Sequence, residues 1–240
     1  MAKHISRHDL KRDEIRDTLE HGAEAIASHQ RQLWFYGAVA LLVVAAVLGW
    51  RFYTQRQTAQ ASVALADAMK IYQARIRAVN EPAEPNEITY VDEKNKYADS
   101  VKKFTEVADR YPRTRPGQEA RYYAALGLVH TERYDEAQKD LTALMSGNDE
   151  GFKALATFQM AQIDEKTGKD AEAIQLYQQL IDKPTPFVPK PVALLALADH
   201  YAKNNPAQAA KLYQQVKAEF PDTQAAQLAD QRLQLLPAKS

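Results

Sequence analysis

The residues suited to metal binding or acid–base catalysis are few, and their spacing fits neither role. Histidine is a common ligand and general base, and His130 and His200 each lie near the end of a segment with helical periodicity. His4 and His8 are one helical turn apart, but a lone pair at this spacing is frequent by chance and supplies too few ligands. The sequence has no HExxH run and no Cys, so it contains neither a thiolate metal site nor a disulfide. We therefore expect no metal.

Other signatures of catalysis are missing as well. The eight glycines are dispersed, so no GxSxG, phosphate-binding loop or GxGxxG run occurs. Acidic neighbours such as Asp164-Glu165 fall at predicted helix ends, where carboxylates mostly interact with solvent or with the helix dipole. Lys+Arg and Asp+Glu both number 31, which lacks the basic excess of a nucleic-acid binder. We predict a non-enzymatic protein with no cofactor, no small-molecule substrate and no nucleic-acid partner.

An uncharged segment of eighteen residues runs from Leu33 to Trp50. As a helix it would span roughly 27 Å, close to the ~30 Å hydrocarbon core of a bilayer. Aromatic side chains favour the two membrane interfaces, and they mark both ends of the segment: Trp34, Tyr36, Trp50, Phe52 and Tyr53. The pattern predicts a transmembrane helix over residues 32–53, after an N-terminal segment of residues 1–31.

Basic residues suggest which way this helix is oriented. Six Lys or Arg residues precede the uncharged segment, whereas Arg51 and Arg56 follow it closely. This favours a cytoplasmic N-terminus, with residues 54–240 outside, in the periplasm of a Gram-negative cell. The alternative is a cleaved signal peptide, because Ala59-Gln60-Ala61 and Ala64-Leu65-Ala66 have the small-x-small form. However, the apolar stretch exceeds a typical signal-peptide core, and two arginines precede either site.

The rest of the chain repeats itself with a period of 36 or 37 residues. Four segments align, each with one large anchor residue: Phe104, Leu141, Tyr177 and Tyr213. Three of the anchors have an alanine one helical turn earlier: Ala137, Ala173 and Ala209. A further apolar helix precedes each of the last three segments: 117–131, 152–166 and 191–203. The unit is therefore helix A, a tight turn and helix B, in which the alanines let two helix axes approach to about 8–10 Å.

Helices flank these repeats on both sides. Apolar residues at spacings of three and four predict an amphipathic helix from Val63 to Val79. Glu81–Asn86, with two prolines, is a polar loop. Residues 222–236 predict a terminal helix that closes the stack. Proline-rich residues 183–191 have two interpretations: a stiff connector whose Phe187 packs on the neighbouring hairpin, or a docking element.

The period and pattern resemble the tetratricopeptide repeat, although the consensus tryptophan is absent and alanine replaces the helix A glycine. We therefore predict an all-α fold, a transmembrane helix followed by a tetratricopeptide-like α-solenoid of helical hairpins. The A helices of such a stack line its concave side. In this register the partner-binding groove contains Tyr122, Leu126, Phe158, Gln162, Leu195 and Asp199. With its aromatic and aliphatic side chains, this groove suits an extended or unfolded apolar segment.

The whole layout resembles a bacterial family, the ancillary Sec translocon subunits with a tetratricopeptide-like periplasmic domain. The shared features are the short N-terminal segment, the membrane helix, the amphipathic helix after it and the degenerate repeats. The resemblance implies a single-pass inner-membrane scaffold or co-chaperone. Its partners would be the Sec translocon, unfolded polypeptides and periplasmic chaperones. The alternative is an adaptor for envelope assembly, outer-membrane biogenesis or the division machinery, since those systems also use tetratricopeptide proteins.

Overall fold

A computed structural model of the chain describes residues 7–82, 84–85 and 87–237, with side chains at residue 32 and from residue 34 onward. His4 and the side chain of His8 lie outside the described residues. The longest element is helix α1, which runs from Arg7 to Tyr72. Residues 1–56 group as one compact unit by their contacts, and residues 57–240 group as a second.

The first unit contains the apolar segment. Every side chain from Trp34 to Tyr53 is exposed. The most apolar window of 18 residues has a mean hydropathy of 1.9, and none of it is buried. By length and composition, this part of α1 is therefore able to cross a membrane.

The second unit is a row of helical hairpins in which each helix packs mainly against its neighbours along the chain. The final residues of α1 pack in one cluster with α2 and α3, in which the ring of Tyr72 meets that of Phe104, and we count the end of α1 and α2 as the first hairpin. The remaining helices are α2 (Glu93–Arg110), α3 (Arg115–His130), α4 (Tyr134–Met145), α5 (Glu150–Lys166), α6 (Asp170–Asp182), α7 (Lys190–Asn204), α8 (Pro206–Glu219) and α9 (Gln224–Gln234). The predicted all-α array of hairpins is confirmed. Helix α9 packs on α8 and α7 at the C-terminal end of the row.

Local sequence signals set the starts of several helices. The side chains of Thr114, Asp149 and Thr223 accept hydrogen bonds from backbone N–H groups in the first turns of α3, α5 and α9. Such caps satisfy amides that have no partner within the helix. Threonine or aspartate at these positions therefore fixes where α3, α5 and α9 start.

Two of the turns between paired helices contain a left-handed residue. Gly168 has a φ of 77° between α5 and α6, and Glu132 has a φ of 60° between α3 and α4. Glycine adopts this conformation freely, whereas a residue with a side chain does so at some cost. The turn between α3 and α4 therefore has the same left-handed geometry, although its residue is Glu132 and not glycine.

The segment after the first long helix differs from the prediction. Helix α1 ends at Tyr72, not at Val79, and the chain continues into a short strand, β1 (Arg75–Ile76). This strand pairs in parallel with β2 (Thr89–Tyr90). Arg75 also forms ion pairs with acidic side chains of the intervening loop, Glu81 at 2.7 Å and Glu87 at 3.5 Å. These contacts across the loop outweigh the helical periodicity of residues 73–79.

The anchor residues lie in the interior of the array. All four large anchors are almost fully buried: Phe104, Leu141, Tyr177 and Tyr213. The three preceding alanines have no exposed surface at all: Ala137, Ala173 and Ala209. These positions form the contact surface between hairpins, where burial of apolar area stabilises the stack.

Candidate partner-binding face

One side of the A helices carries partly exposed apolar residues at matching positions. Tyr122 and Leu126 lie one turn apart on α3, and Phe158 and Gln162 occupy the same places on α5. Each of the four is neither fully buried nor fully exposed. Residues four apart share one face of a helix, so each helix presents a partly exposed pair in the same register. We call the six predicted groove residues the A-helix face.

The two remaining members of this face, on α7, have other contacts. Leu195 is only 7% exposed and belongs to the largest hydrophobic cluster, so its main contribution is to the core. Asp199 accepts a hydrogen bond from the phenol of Tyr213 at 2.6 Å and pairs with Arg232 of α9. The α7 end of the face is therefore joined to the terminal helix by polar contacts within the chain.

The B helices support this face from behind. The ring of Phe158 meets the ring of Tyr177 edge to face, with centroids 5.8 Å apart. The phenol of Tyr177 donates a hydrogen bond to Glu165 of α5 at 3.2 Å. Glu165 also lies 2.8 Å from Nδ1 of His200 on α7. These contacts tie α5, α6 and α7 together and fix the position of the Phe158 ring.

Burial keeps the tyrosines near this face neutral. Burial raises the pKa of Tyr122 to about 12, with smaller contributions from Tyr123 and Tyr72. Burial also raises the pKa of Tyr177 and of Tyr213, and each phenol is further held neutral by its carboxylate partner. A neutral phenol in a buried site donates a hydrogen bond without the desolvation cost of a charge. Five of the six residues of the A-helix face thus have uncharged side chains, and the sixth, Asp199, is paired with Arg232.

Sequence reasoning missed two residues that shape this face. Leu155 lies one turn before Phe158 on α5 and packs against both of the larger hydrophobic clusters. Its three-residue offset from Phe158 is the signal that places it on the same side of the helix. Glu165 was considered only as a solvated helix end, and the bonds to Tyr177 and His200 depend on tertiary packing.

The proline-rich connector packs on the hairpin before it. The ring of Phe187 lies so close to Gly151 that a Cβ there would come within 2.6 Å of its carbons. The guanidinium of Arg115 lies 5.8 Å from the centre of the same ring, and Val188 is buried in the core. Phe187 therefore packs against α5 as a connector residue would, while docking by this loop stays a prediction.

His130 and His200 each contact another side chain of the array. Within the part of the chain that the structure describes, no group of three or more His, Cys, Asp or Glu side chains is placed to hold a metal ion. Nδ1 of His200 lies 2.8 Å from Glu165, and the ring of His130 is stacked on Tyr97 with centroids 4.0 Å apart. Both histidines thus have structural contacts.

Similarity to known families agrees with this architecture. Residues 34–187 match the family described as a tetratricopeptide repeat-like domain, and residues 192–223 match a tetratricopeptide repeat. No curated protein and no solved structure matches the chain. The first match covers more than half of the sequence and includes the apolar segment, and the second covers most of the last hairpin. The chain belongs to the tetratricopeptide repeat-like domain family, and its repeats form a scaffold for protein–protein interaction.

Proposed function

We propose that the chain is a membrane-anchored scaffold and co-chaperone of the Sec translocon, which passes secreted polypeptides to periplasmic chaperones and catalyses no reaction. The observation that carries this proposal is the recurrence of partly exposed apolar side chains on the A-helix face, chiefly Tyr122, Leu126 and Phe158. A row of such residues on successive helices offers an extended apolar surface to an extended chain.

The chemistry of this face favours an apolar segment over an acidic tail. The nearby carboxylates are already bonded, Glu165 to Tyr177 and His200, and Asp199 to Tyr213 and Arg232. None of the six described residues of the A-helix face is a lysine or an arginine that could pair with a partner's carboxylate. Apolar contacts are non-directional and tolerate many sequences, which suits a scaffold that receives different unfolded polypeptides.

The apolar helix is the basis for the cellular location that we propose for this scaffold. We propose that residues 32–53 cross the inner membrane, that residues 1–31 lie in the cytoplasm and that residues 54–240 form the periplasmic domain. The support is a helix of sufficient length and hydropathy with exposed side chains and six Lys or Arg before it. Anchoring beside a translocon raises the effective concentration of the A-helix face near an emerging polypeptide.

Photocrosslinking in living cells tests the proposed partners. A photoreactive amino acid replaces Tyr122 or Phe158, and matched controls carry it at Lys139 or Gln178, which are exposed on the B helices α4 and α6. We expect adducts with translocon subunits, exported polypeptides and periplasmic chaperones from the first pair only. Adducts with lipid and abundant soluble proteins alone, or equal adducts from the controls, refute the proposal. Adducts confined to envelope-assembly or division proteins support the adaptor function instead.

A topology reporter tests the orientation separately. A phosphatase that is active only outside the cytoplasm is fused after Ser240, and a cytoplasmic reporter enzyme is fused there in a parallel strain. We expect activity from the phosphatase fusion alone. Activity of the cytoplasmic reporter alone would place residues 54–240 in the cytoplasm. That result would refute the proposal of a periplasmic co-chaperone.

A further inference from the structure

The first hairpin of the array has an open groove that the A-helix face does not include. It encloses about 450 Å³ between the final turns of α1 and helix α2. Its floor is apolar and consists of Ala64, Ala68, Ile71, Ile88, Val107 and Tyr111. No residue from α3 to α9 lines it. We call this surface the end groove.

The two ends of the array differ in whether a helix covers the terminal hairpin. At the C-terminal end, α9 covers the last hairpin with Leu228 and Leu233 packed against the core, and its Asp230 pairs with Lys217 of α8. Terminal repeats expose the surface that the next repeat would bury, so they need a capping element. Among the described residues, the end groove is bordered by the loop residue Ile88 but has no helix over it. An amphipathic helix like α9 is therefore the kind of element that such a surface accommodates.

The charges around the end groove leave one residue without a partner. Lys70 pairs with Asp67 at 2.7 Å on one side, and Lys103 pairs with Glu106 at 3.0 Å on the other. Arg110 also lines the groove, yet within the described part of the chain it has no carboxylate within 4.0 Å. Arginine pairs with carboxylates through its planar set of donors. The groove thus combines an apolar floor with one cation that is available to an acidic group.

We propose that the end groove docks an α-helix of a partner protein, with an apolar ridge on its floor and an Asp or Glu side chain paired with Arg110. Helices bind in grooves of this kind through apolar residues at positions i, i+3, i+4 and i+7. A second copy of this chain fits less well. A two-fold contact would place the same groove opposite itself and bring two Arg110 guanidinium groups towards each other. This inference concerns a surface separate from the A-helix face and does not depend on the translocon.

The test measures binding of defined helical peptides to the full chain in lipid nanodiscs. The probe is a fluorescent, hydrocarbon-stapled helix with leucine at i, i+3, i+4 and i+7 and one glutamate beside this ridge. A second probe differs only by lysine in place of that glutamate. Fluorescence anisotropy is followed against chain concentration. We expect saturable binding of the glutamate probe and binding about tenfold weaker for the lysine probe, a difference of about 1.4 kcal/mol.

Substitutions then locate the binding surface. Arg110→Glu is expected to weaken the glutamate probe about tenfold and to strengthen the lysine probe, because the charge at the groove is reversed. Ile88→Asp, at a loop residue that is 46% exposed, is expected to abolish binding of both probes. The matched control is Lys102→Glu, an equal charge change at an exposed position on α2 that does not line the groove. Circular dichroism checks that each variant stays folded.

Several results would overturn the inference. One is an absence of glutamate-probe binding to the wild-type chain at concentrations up to about 1 mM, where a contact worth about 4 kcal/mol would be visible. Another is binding that both Arg110→Glu and Ile88→Asp leave unchanged, since the probe would then bind elsewhere. A third is self-association by sedimentation that Ile88→Asp abolishes, because the occupant would then be a second copy.

Discussion

The anchor Leu141 offers a direct test of how the hairpins hold together. Its side chain has no exposed surface and lies on α4, between α3 and α5, which both pack against that helix. The same cluster contains Leu128 of α3 and Ile163 of α5. Leu141→Ala removes three carbon atoms from the contact between the second and third hairpins without adding a polar group. The variant therefore isolates the packing contribution of one anchor.

The expected loss follows from two contributions. Three buried carbon atoms at about 0.8 kcal/mol each correspond to about 2.4 kcal/mol of lost burial. A cavity remains where neighbouring helices cannot close, and measured Leu→Ala changes in cores reach about 2–5 kcal/mol in total. We expect the free energy of unfolding to fall by about 3 kcal/mol. At about 2–4 °C per kcal/mol for a domain of this size, Tm falls by roughly 6–12 °C.

Urea unfolding of the full chain, followed by circular dichroism at the helical minimum, gives the measurement. The matched control is Leu235→Ala, the same chemical change at a side chain that is 83% exposed. Exposed substitutions usually change stability by less than about 0.5 kcal/mol. A loss below about 1 kcal/mol for Leu141→Ala, or equal losses for both variants, would refute the assignment of Leu141 as an anchor between hairpins.

Three further predictions concern polar contacts and close approaches. Tyr213→Phe removes the phenol that donates to Asp199 at 2.6 Å, and because this carboxylate is partly exposed we expect a loss of about 1 kcal/mol in urea unfolding. Burial raises the pKa of Tyr122 from 10.0 to about 12. The contribution of this neutral phenol to the free energy of unfolding is therefore complete below pH 10 and is lost as pH rises through about 12. In unfolding curves measured across that range, Tyr122→Phe should lose less stability with rising pH than the wild-type chain. Gly117→Ala places a Cβ 1.9 Å from a backbone carbonyl oxygen at the end of α2, so we expect a loss of about 1–3 kcal/mol, whereas Gly49→Ala, with open space around it, should change the unfolding midpoint little.

Periodicity carried most of the fold prediction because it reflects contacts between neighbouring elements. The spacing from Phe104 to Tyr213 indicated the hairpins, and α4 through α8 begin and end within a few residues of the predicted positions. Contacts of this kind recur once per repeat, so they leave a regular trace in the sequence. The pairing of Arg75–Ile76 with Thr89–Tyr90 leaves no such trace. It occurs once and joins two residue pairs across a loop, so local periodicity predicted a continued helix instead.

The A-helix face was harder to predict because exposure depends on what covers each residue. The shared register predicted equivalent positions on α3 and α5, and Tyr122 and Phe158 at those positions are both partly exposed. The same register on α7 pointed to Leu195, which the core buries, and to Asp199, which Arg232 of α9 engages. A residue beyond the last repeat therefore changes the environment of the last repeat, and no repeat pattern includes that information.

The hairpins also show how an anchor position accepts different residues. Tyr213 of α8 is both buried and hydrogen-bonded to an acidic residue of its A helix, Asp199 of α7. Leu141 has no hydroxyl, and its hairpin instead has an ion pair between Arg121 of α3 and Asp140 of α4 at 3.0 Å.

The three hairpins from α3 to α8 each combine a large buried side chain with a polar contact between their two helices, and different residues supply these contacts. Burial of the large side chain is non-directional and tolerates leucine, phenylalanine or tyrosine. The polar contact requires a specific donor and acceptor, and a different pair of residues forms it in each of these hairpins. Because packing accepts several residue types and the polar contact can form at several positions, repeats of this kind keep their period although their residues differ.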